Sequence, residues 1–122
     1  MDLEGFATWL EGYFHAWVSN QPADVAALFT DDADYWVGPF AEPRRGRDAI
    51  VEWWVNGIQM DVRYAYEPLG VNGDTGVAHW NVTSRNGAGL PREWDGILQI
   101  TFAPDGRCRE HREWFSVRDL QD

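Results

Sequence analysis

Apart from a short strand-like stretch at 33–38, apolar residues recur at helical spacing as far as Ile58, and after Met60 they recur at strand spacing punctuated by turns. A helical half followed by a β half does not suit the alternating layout of a parallel βαβ sheet, and the helices must instead pack as a group on the strands. Leu3, Phe6, Leu10, Tyr13, Phe14 and Trp17 fall three and four apart and predict a helix over 2–18, with Glu4 well placed in its first turn. After the break at Ser19-Asn20-Gln21, Pro22 suits a first helical position, and Val25, Leu28 and Phe29 continue a second, short helix. Asp31-Asp32 ends it, and 33–38 reads as a strand before a loop holding Pro39 and Pro43. Ile50, Trp53, Trp54, Gly57 and Ile58 predict a third helix, with Gly46 and Asp48 supplying the break and the cap. Beyond it, 62–71, 76–85, 90–102 and 107–117 read as strands of an antiparallel meander, separated by Asn72-Gly73-Asp74, Asn86-Gly87 and Pro104-Asp105-Gly106. The expectation is one α+β domain over 1–122, three helices from the N-terminal half packed on a curved, mostly antiparallel sheet.

Charge narrows the partners. Ten basic against twenty acidic residues leave a net −10, a field that repels phosphate and argues against nucleic acid or anionic membrane as the main partner. Cys108 is the only cysteine, so no intrachain disulfide forms. The acidic start, Met1-Asp2-Leu3-Glu4, is unlike a signal peptide, and the longest strongly apolar stretch, 50–58, is interrupted by Glu52 and Asn56. A cytoplasmic setting is therefore expected. His15, His79 and His111 lack metal-ligand spacing and no glycine-rich phosphate loop is present, so neither a metal nor an organic cofactor is expected. Eight Trp, six Phe and four Tyr exceed what a small core requires, which suggests that some rings line a cavity.

The order of elements, Phe29-Thr30-Asp31-Asp32-Ala33 followed by 42–50, and the ending from Asp95-Gly96-Ile97-Leu98 through Asp105-Gly106-Arg107-Cys108 to Arg112-Glu113-Trp114-Phe115 carry a resemblance. They resemble the nuclear transport factor 2-like superfamily, in particular its ketosteroid isomerase and SnoaL-like polyketide cyclase branch. The resemblance implies a cone-shaped fold enclosing a pocket between sheet and helices, a small-molecule ligand, and pairing of two copies sheet to sheet as a homodimer. It fixes no reaction, because one fold hosts many. Isomerase chemistry needs a carboxylate base and an oxyanion hole made by a Tyr and a protonated Asp. Tyr13 matches that Tyr, but Val37 stands at the base and Leu98 at the second donor, which disfavours a steroid isomerase. Arg92, Asp95, Glu110 and Arg112 offer groups like those of limonene epoxide hydrolases without a residue-by-residue match.

Alternation in the last strand puts Arg109, His111, Glu113 and Phe115 on one face and Cys108, Glu110, Arg112 and Trp114 on the other. If the first set faces inward, as the isomerase comparison implies, His111 and Glu113 form an acid/base pair, the carboxylate raising the imidazole pKa or acting as base itself. The plain alternative is a polar pair on a solvated sheet surface. Tyr13 would donate a hydrogen bond to a substrate oxygen. Tyr35, Val37, Trp53, Trp54, Trp80, Leu98 and Phe115 would form the walls, or simply core. His79 is expected on the outer face with Asn81, entering the pocket only if the register shifts by one. Asp95 beside Gly96 reads either as a bulge or as an outward acid paired with an Arg. The function expected is cofactor-free acid/base catalysis of the isomerase, dehydratase or cyclase type on a small hydrophobic oxygen-bearing substrate. A non-catalytic binding or protein-interaction module of the same fold is the alternative.

Overall fold

A computed structural model describes residues 1–121. The elements run α1 (Leu3–Ser19), α2 (Pro22–Ala26), β1 (Phe29–Trp36), β2 (Arg44–Arg45), α3 (Arg47–Asn56), β3 (Met60–Asn72), β4 (Thr75–Arg85), β5 (Pro91–Phe102) and β6 (Cys108–Asp119). All six strands join one open sheet in the order β2-β1-β6-β5-β4-β3, antiparallel except where β1 runs parallel to β6. This is the α+β arrangement of three helices and a mostly antiparallel sheet.

Local chemistry sets the helix ends. The Asp2 carboxylate caps α1 by accepting from the Gly5 N–H at 2.7 Å. Asn20 closes the helix in the left-handed region at φ 52°, returning its N–H to the Ala16 carbonyl, and its side-chain amide donates to the Val55 carbonyl of α3 at 3.1 Å. One face of α1 buries Phe6, Trp9, Leu10, Tyr13, Phe14 and Ala16. On its rim, Tyr64 and Tyr66 of β3 each donate to one Glu11 oxygen at 2.6 Å, and Phe14 stacks on both rings, so α1 is pinned to the sheet edge by contacts that are part polar and part aromatic. On the inner face of the sheet, Gly76, Ala78, Trp80, Val82 and Ser84 alternate along β4, and Gly96, Leu98, Ile100 and Phe102 along β5.

Several boundaries differ from expectation: α3 ends at Asn56, short of Gly57 and Ile58, and Gly46 stands at its N-cap with no side-chain cap from Asp48. The second helix stops at Ala26, because the Leu28 carbonyl accepts from the Cys108 N–H at 2.8 Å and from the Trp9 indole at 3.2 Å, and Phe29 pairs with β6. The strand expected over 33–38 therefore begins at Phe29, with exposed Asp31 and Asp32 carried in the register shift between Phe29 and Asp34. Just past Pro43, within the stretch expected to be loop, Arg44 and Arg45 form β2 against β1, Arg45 meeting Asp34 at 3.3 Å.

Gly96 lies in unbroken register between Trp80 and Phe115, so no bulge turns Asp95 inward. Asp95 points outward and binds His79 at 2.9 Å rather than an Arg. The glycine is required by close approach: a Cβ there would collide with the Trp114 carbonyl oxygen and lie 2.8 Å from the Phe115 Cβ. Gly96→Ala should therefore destabilise the fold by about 1–3 kcal/mol. A lowered urea midpoint would show it, and an unchanged midpoint would mean that β6 shifts freely.

Candidate active site

Strand alternation alone puts Cys108 opposite in sense to His111, yet both are fully buried. The β5–β6 register explains this: Thr101 faces Glu110 and Phe102 faces Cys108, leaving Arg109 as an extra, exposed residue. Past that bulge His111, Glu113 and Phe115 take the inner face, paired with Ile100, Leu98 and Gly96. The neighbouring parallel strand sets Tyr35 beside His111, ring on ring at 3.8 Å and 5°. From above, α1 delivers the Tyr13 ring against His111 and its hydroxyl to that of Tyr35.

The four polar side chains form a line. Tyr35 donates to Glu113 Oε1 at 3.3 Å, the Tyr13 and Tyr35 hydroxyls lie 2.8 Å apart, and His111 Nε2 is 3.2 Å from the Tyr13 hydroxyl. A hydroxyl has one proton to give. With Tyr35 giving its own to Glu113, Tyr13 donates to Tyr35 and His111 Nε2–H donates to Tyr13. His111 Nδ1 and Glu113 Oε2 are left buried with no partner. His111 and Glu113 do not touch; two tyrosines separate them.

Burial governs the charges. It pushes the Glu113 carboxyl from its ordinary 4.5 up to about 8, against the smaller, opposing pull of the Tyr35 hydrogen bond. It pushes His111 from 6.5 down to about 3, the reverse of the elevated imidazole expected for an adjacent acid/base pair. Burial, and then the nearby Glu113, hold the Tyr13 and Tyr35 hydroxyls well above 10, so both stay protonated. Near neutral pH the line is uncharged, with Glu113 Oε1 accepting from Tyr35 and Oε2 unpartnered among the described residues.

Glu113 also belongs to the wall of a cavity of about 150 Å³, together with Trp17, Asn20, Tyr35, Val37, Trp53, Trp54, Gly57, Gln59, Trp80, Trp94 and Phe115. Of the residues named from sequence, Tyr35, Val37, Trp53, Trp54, Trp80, Glu113 and Phe115 are in this wall, whereas Tyr13 and His111 stand behind Tyr35 and Leu98 is core opposite Glu113. Trp17, Asn20, Gly57, Gln59 and Trp94 were not foreseen. Trp17 is one turn beyond Tyr13 on the same helix stripe, and Trp94 continues the inward alternation of Leu98 and Gly96, so both were readable; Asn20, Gly57 and Gln59 gave no signal. His15 is exposed near Asp24, and His79 and Asn81 form a network with Asp95 and Glu93 on the outer face. Among the described residues no three His, Cys, Asp or Glu side chains group to hold a metal ion.

Comparison with known proteins agrees with this architecture. The family model described as a SnoaL-like domain matches residues 10–111. Among solved structures, the epoxide hydrolase/cyclase-like enzyme SalBIII, described as having a role in pyran ring formation in the polyether salinomycin, superposes with a TM-score of 0.74 at 16% identity, over 93% of this chain and 95% of that one. At that identity the likeness is one of fold. No curated protein matches the chain.

The two shifts oppose each other in their effect on stability. The depressed His111 contributes stability that is present above 6.5 and lost as pH falls towards about 3. The raised Glu113 contributes stability that is present below 4.5 and lost as pH rises through about 8. Glu113→Gln should therefore remove a decline between pH 6.5 and 8 that the parent protein shows in its urea midpoint, and His111→Phe should reduce the decline below 4.5, where the opposing change at Glu113 is complete. An alkaline decline that persists in Glu113→Gln would contradict the assignment.

Proposed function

The chain belongs to the SnoaL-like domain family, and on that footing we propose that it is an enzyme that moves a proton on a small, largely hydrophobic, oxygen-bearing molecule held in the aromatic cavity. One observation carries the reading: a buried carboxyl group in the wall of an apolar cavity, kept protonated near neutral pH, with Oε2 unpartnered. Glu113 is the general acid in this scheme. It gives the Oε2 proton to a substrate oxygen, and the carboxylate left behind is held by the Tyr35 hydroxyl on Oε1. Tyr13 and His111 are positioning residues that keep the Tyr35 proton aimed at Glu113. Isomerisation, dehydration and cyclisation all use such a transfer, and the likeness to a cyclase-like enzyme supports placing ring closure among them.

The binding-module reading retains support from one feature: the two positions that carry carboxylates in the isomerases are Val37, in the cavity wall, and Leu98, in the core. Pairing of two copies through the outer face of the sheet is part of the proposal, supported by Trp114, 42% exposed and in register beside Ile97. A cytoplasmic setting is proposed from the single cysteine, which is buried.

A screen of ring-sized epoxides, enones and lactones tests the enzyme reading. On any substrate turned over, Glu113→Gln should lower kcat by about 10²–10⁴-fold. Activity in the parent should fall as pH rises through about 8, because the acid form is the working one. Full activity in Glu113→Gln, or a rate that rises through that pH, would refute the assigned role.

A further inference from the structure

Two other polar groups in the same wall have no partner. The indole N–H groups of Trp80 and Trp94 are buried and donate to no acceptor among the described residues, although both rings line the cavity that Glu113 lines. Buried N–H donors normally find acceptors, and two orphans in one wall call for a common explanation. They are neighbours: Trp80 pairs with Gly96 across β4 and β5, Trp94 is two residues from Gly96 on the same face, and both rings pack edge to face on Trp17. Glu113 lies one inward row away, opposite Leu98 and Ala78.

The rest of the wall is short of acceptors. The Gln59 oxygen already accepts from Ser84 at 2.7 Å, leaving its amide N–H groups free. The Tyr35 hydroxyl is committed to Glu113 and Tyr13. Asn20, which ends α1, spends its N–H on the Val55 carbonyl and keeps its oxygen as the one side-chain acceptor in the wall without a partner besides Glu113. A cavity of about 150 Å³ accepts a molecule the size of one six-membered ring. The polar groups carried by the residues of this wall are mostly donors: two indoles, the Gln59 amide and the neutral Glu113.

We propose that the Trp80 and Trp94 indoles form a subsite for an acceptor oxygen, so that the ligand class is a neutral, ring-sized cyclic ketone, lactone or ether whose carbonyl or ring oxygen takes these hydrogen bonds. The inference rests on the reading of Glu113 as the acid for its chemistry, since an oxygen held at the indoles lies one row from Oε2. Its binding claim stands without that reading. No charged group is required of the ligand, because the wall presents no cation to an anion and no ionised carboxylate to a cation near neutral pH.

The test is a titration of the full chain with cyclohexanone and, separately, with methylenecyclohexane, which has the same shape without the oxygen. Indole ¹H–¹⁵N signals, assigned with Trp80→Phe and Trp94→Phe, report the contact directly. Cyclohexanone should move both signals downfield and methylenecyclohexane should not. Loss of one indole should weaken the ketone about five- to tenfold while leaving the hydrocarbon unchanged. Trp94→Phe, at the less buried site, serves if Trp80→Phe does not fold. The same downfield shifts should appear in Glu113→Gln, so the subsite is judged apart from the acid role. Equal binding of the two probes, indole signals that do not respond, or no ketone binding at millimolar concentration would overturn the proposal. So would upfield indole signals unmoved by ketone, which would place the N–H groups over the Trp17 ring instead.

Discussion

A carboxyl group enclosed by aromatic rings, with a single hydroxyl to steady it, keeps its proton, and the rest of this site is arranged around that fact. An ionised Glu113 would face a desolvation penalty of several kcal/mol that one neutral donor does not offset. Had His111 been its neighbour, the two would have exchanged a proton and formed a buried ion pair. Two tyrosines stand between them instead, so neither charge is stabilised by the other, and both groups remain neutral. The histidine thus acts through hydrogen-bond polarity. Its Nε2–H orders Tyr13, Tyr13 orders Tyr35, and Tyr35 occupies one carboxyl oxygen and leaves the second for the ligand.

Holding that line requires three independent pieces of chain to converge, and the fold supplies them on rigid elements. Glu113 and His111 come from β6, Tyr35 from the parallel neighbour β1, and Tyr13 from α1, which Glu11, Tyr64 and Tyr66 anchor to the far edge of the sheet. The bulge at Arg109 sets the phase of β6, and Gly96 lets Phe115 settle over β5 as part of the cavity wall. A one-residue slip in β6 would turn Glu113 out to solvent and Arg112 into the cavity.

Much of this was legible in the sequence because periodicity reports which face is buried. The three helices, the four long strands and the inward set His111, Glu113 and Phe115 follow from spacing and turn residues together with the family resemblance. What spacing could not give was pairing between distant segments. Phe29 looks helical beside Val25, and only its partnership with Cys108 makes it a strand. The same blindness hid the site's electrostatics. His111 and Glu113 are two residues apart and read as a pair, whereas their real partners, Tyr13 and Tyr35, lie 98 and 78 residues away along the chain. Trp17 and Trp94 obey the same periodicity as their neighbours in the wall; the αL turn that brings Asn20 to the cavity carries no comparable pattern.

The protonation state of one side chain decides most directly between this picture and an ordinary wet carboxylate. Titration of the Glu113 side-chain carboxyl carbon by ¹³C NMR, assigned with Glu113→Gln, reads it without any substrate. The expected midpoint is about 8, with the group neutral at pH 6. A midpoint near 4.5, the ordinary value, would show a solvated carboxylate and remove the acid on which the proposed chemistry depends.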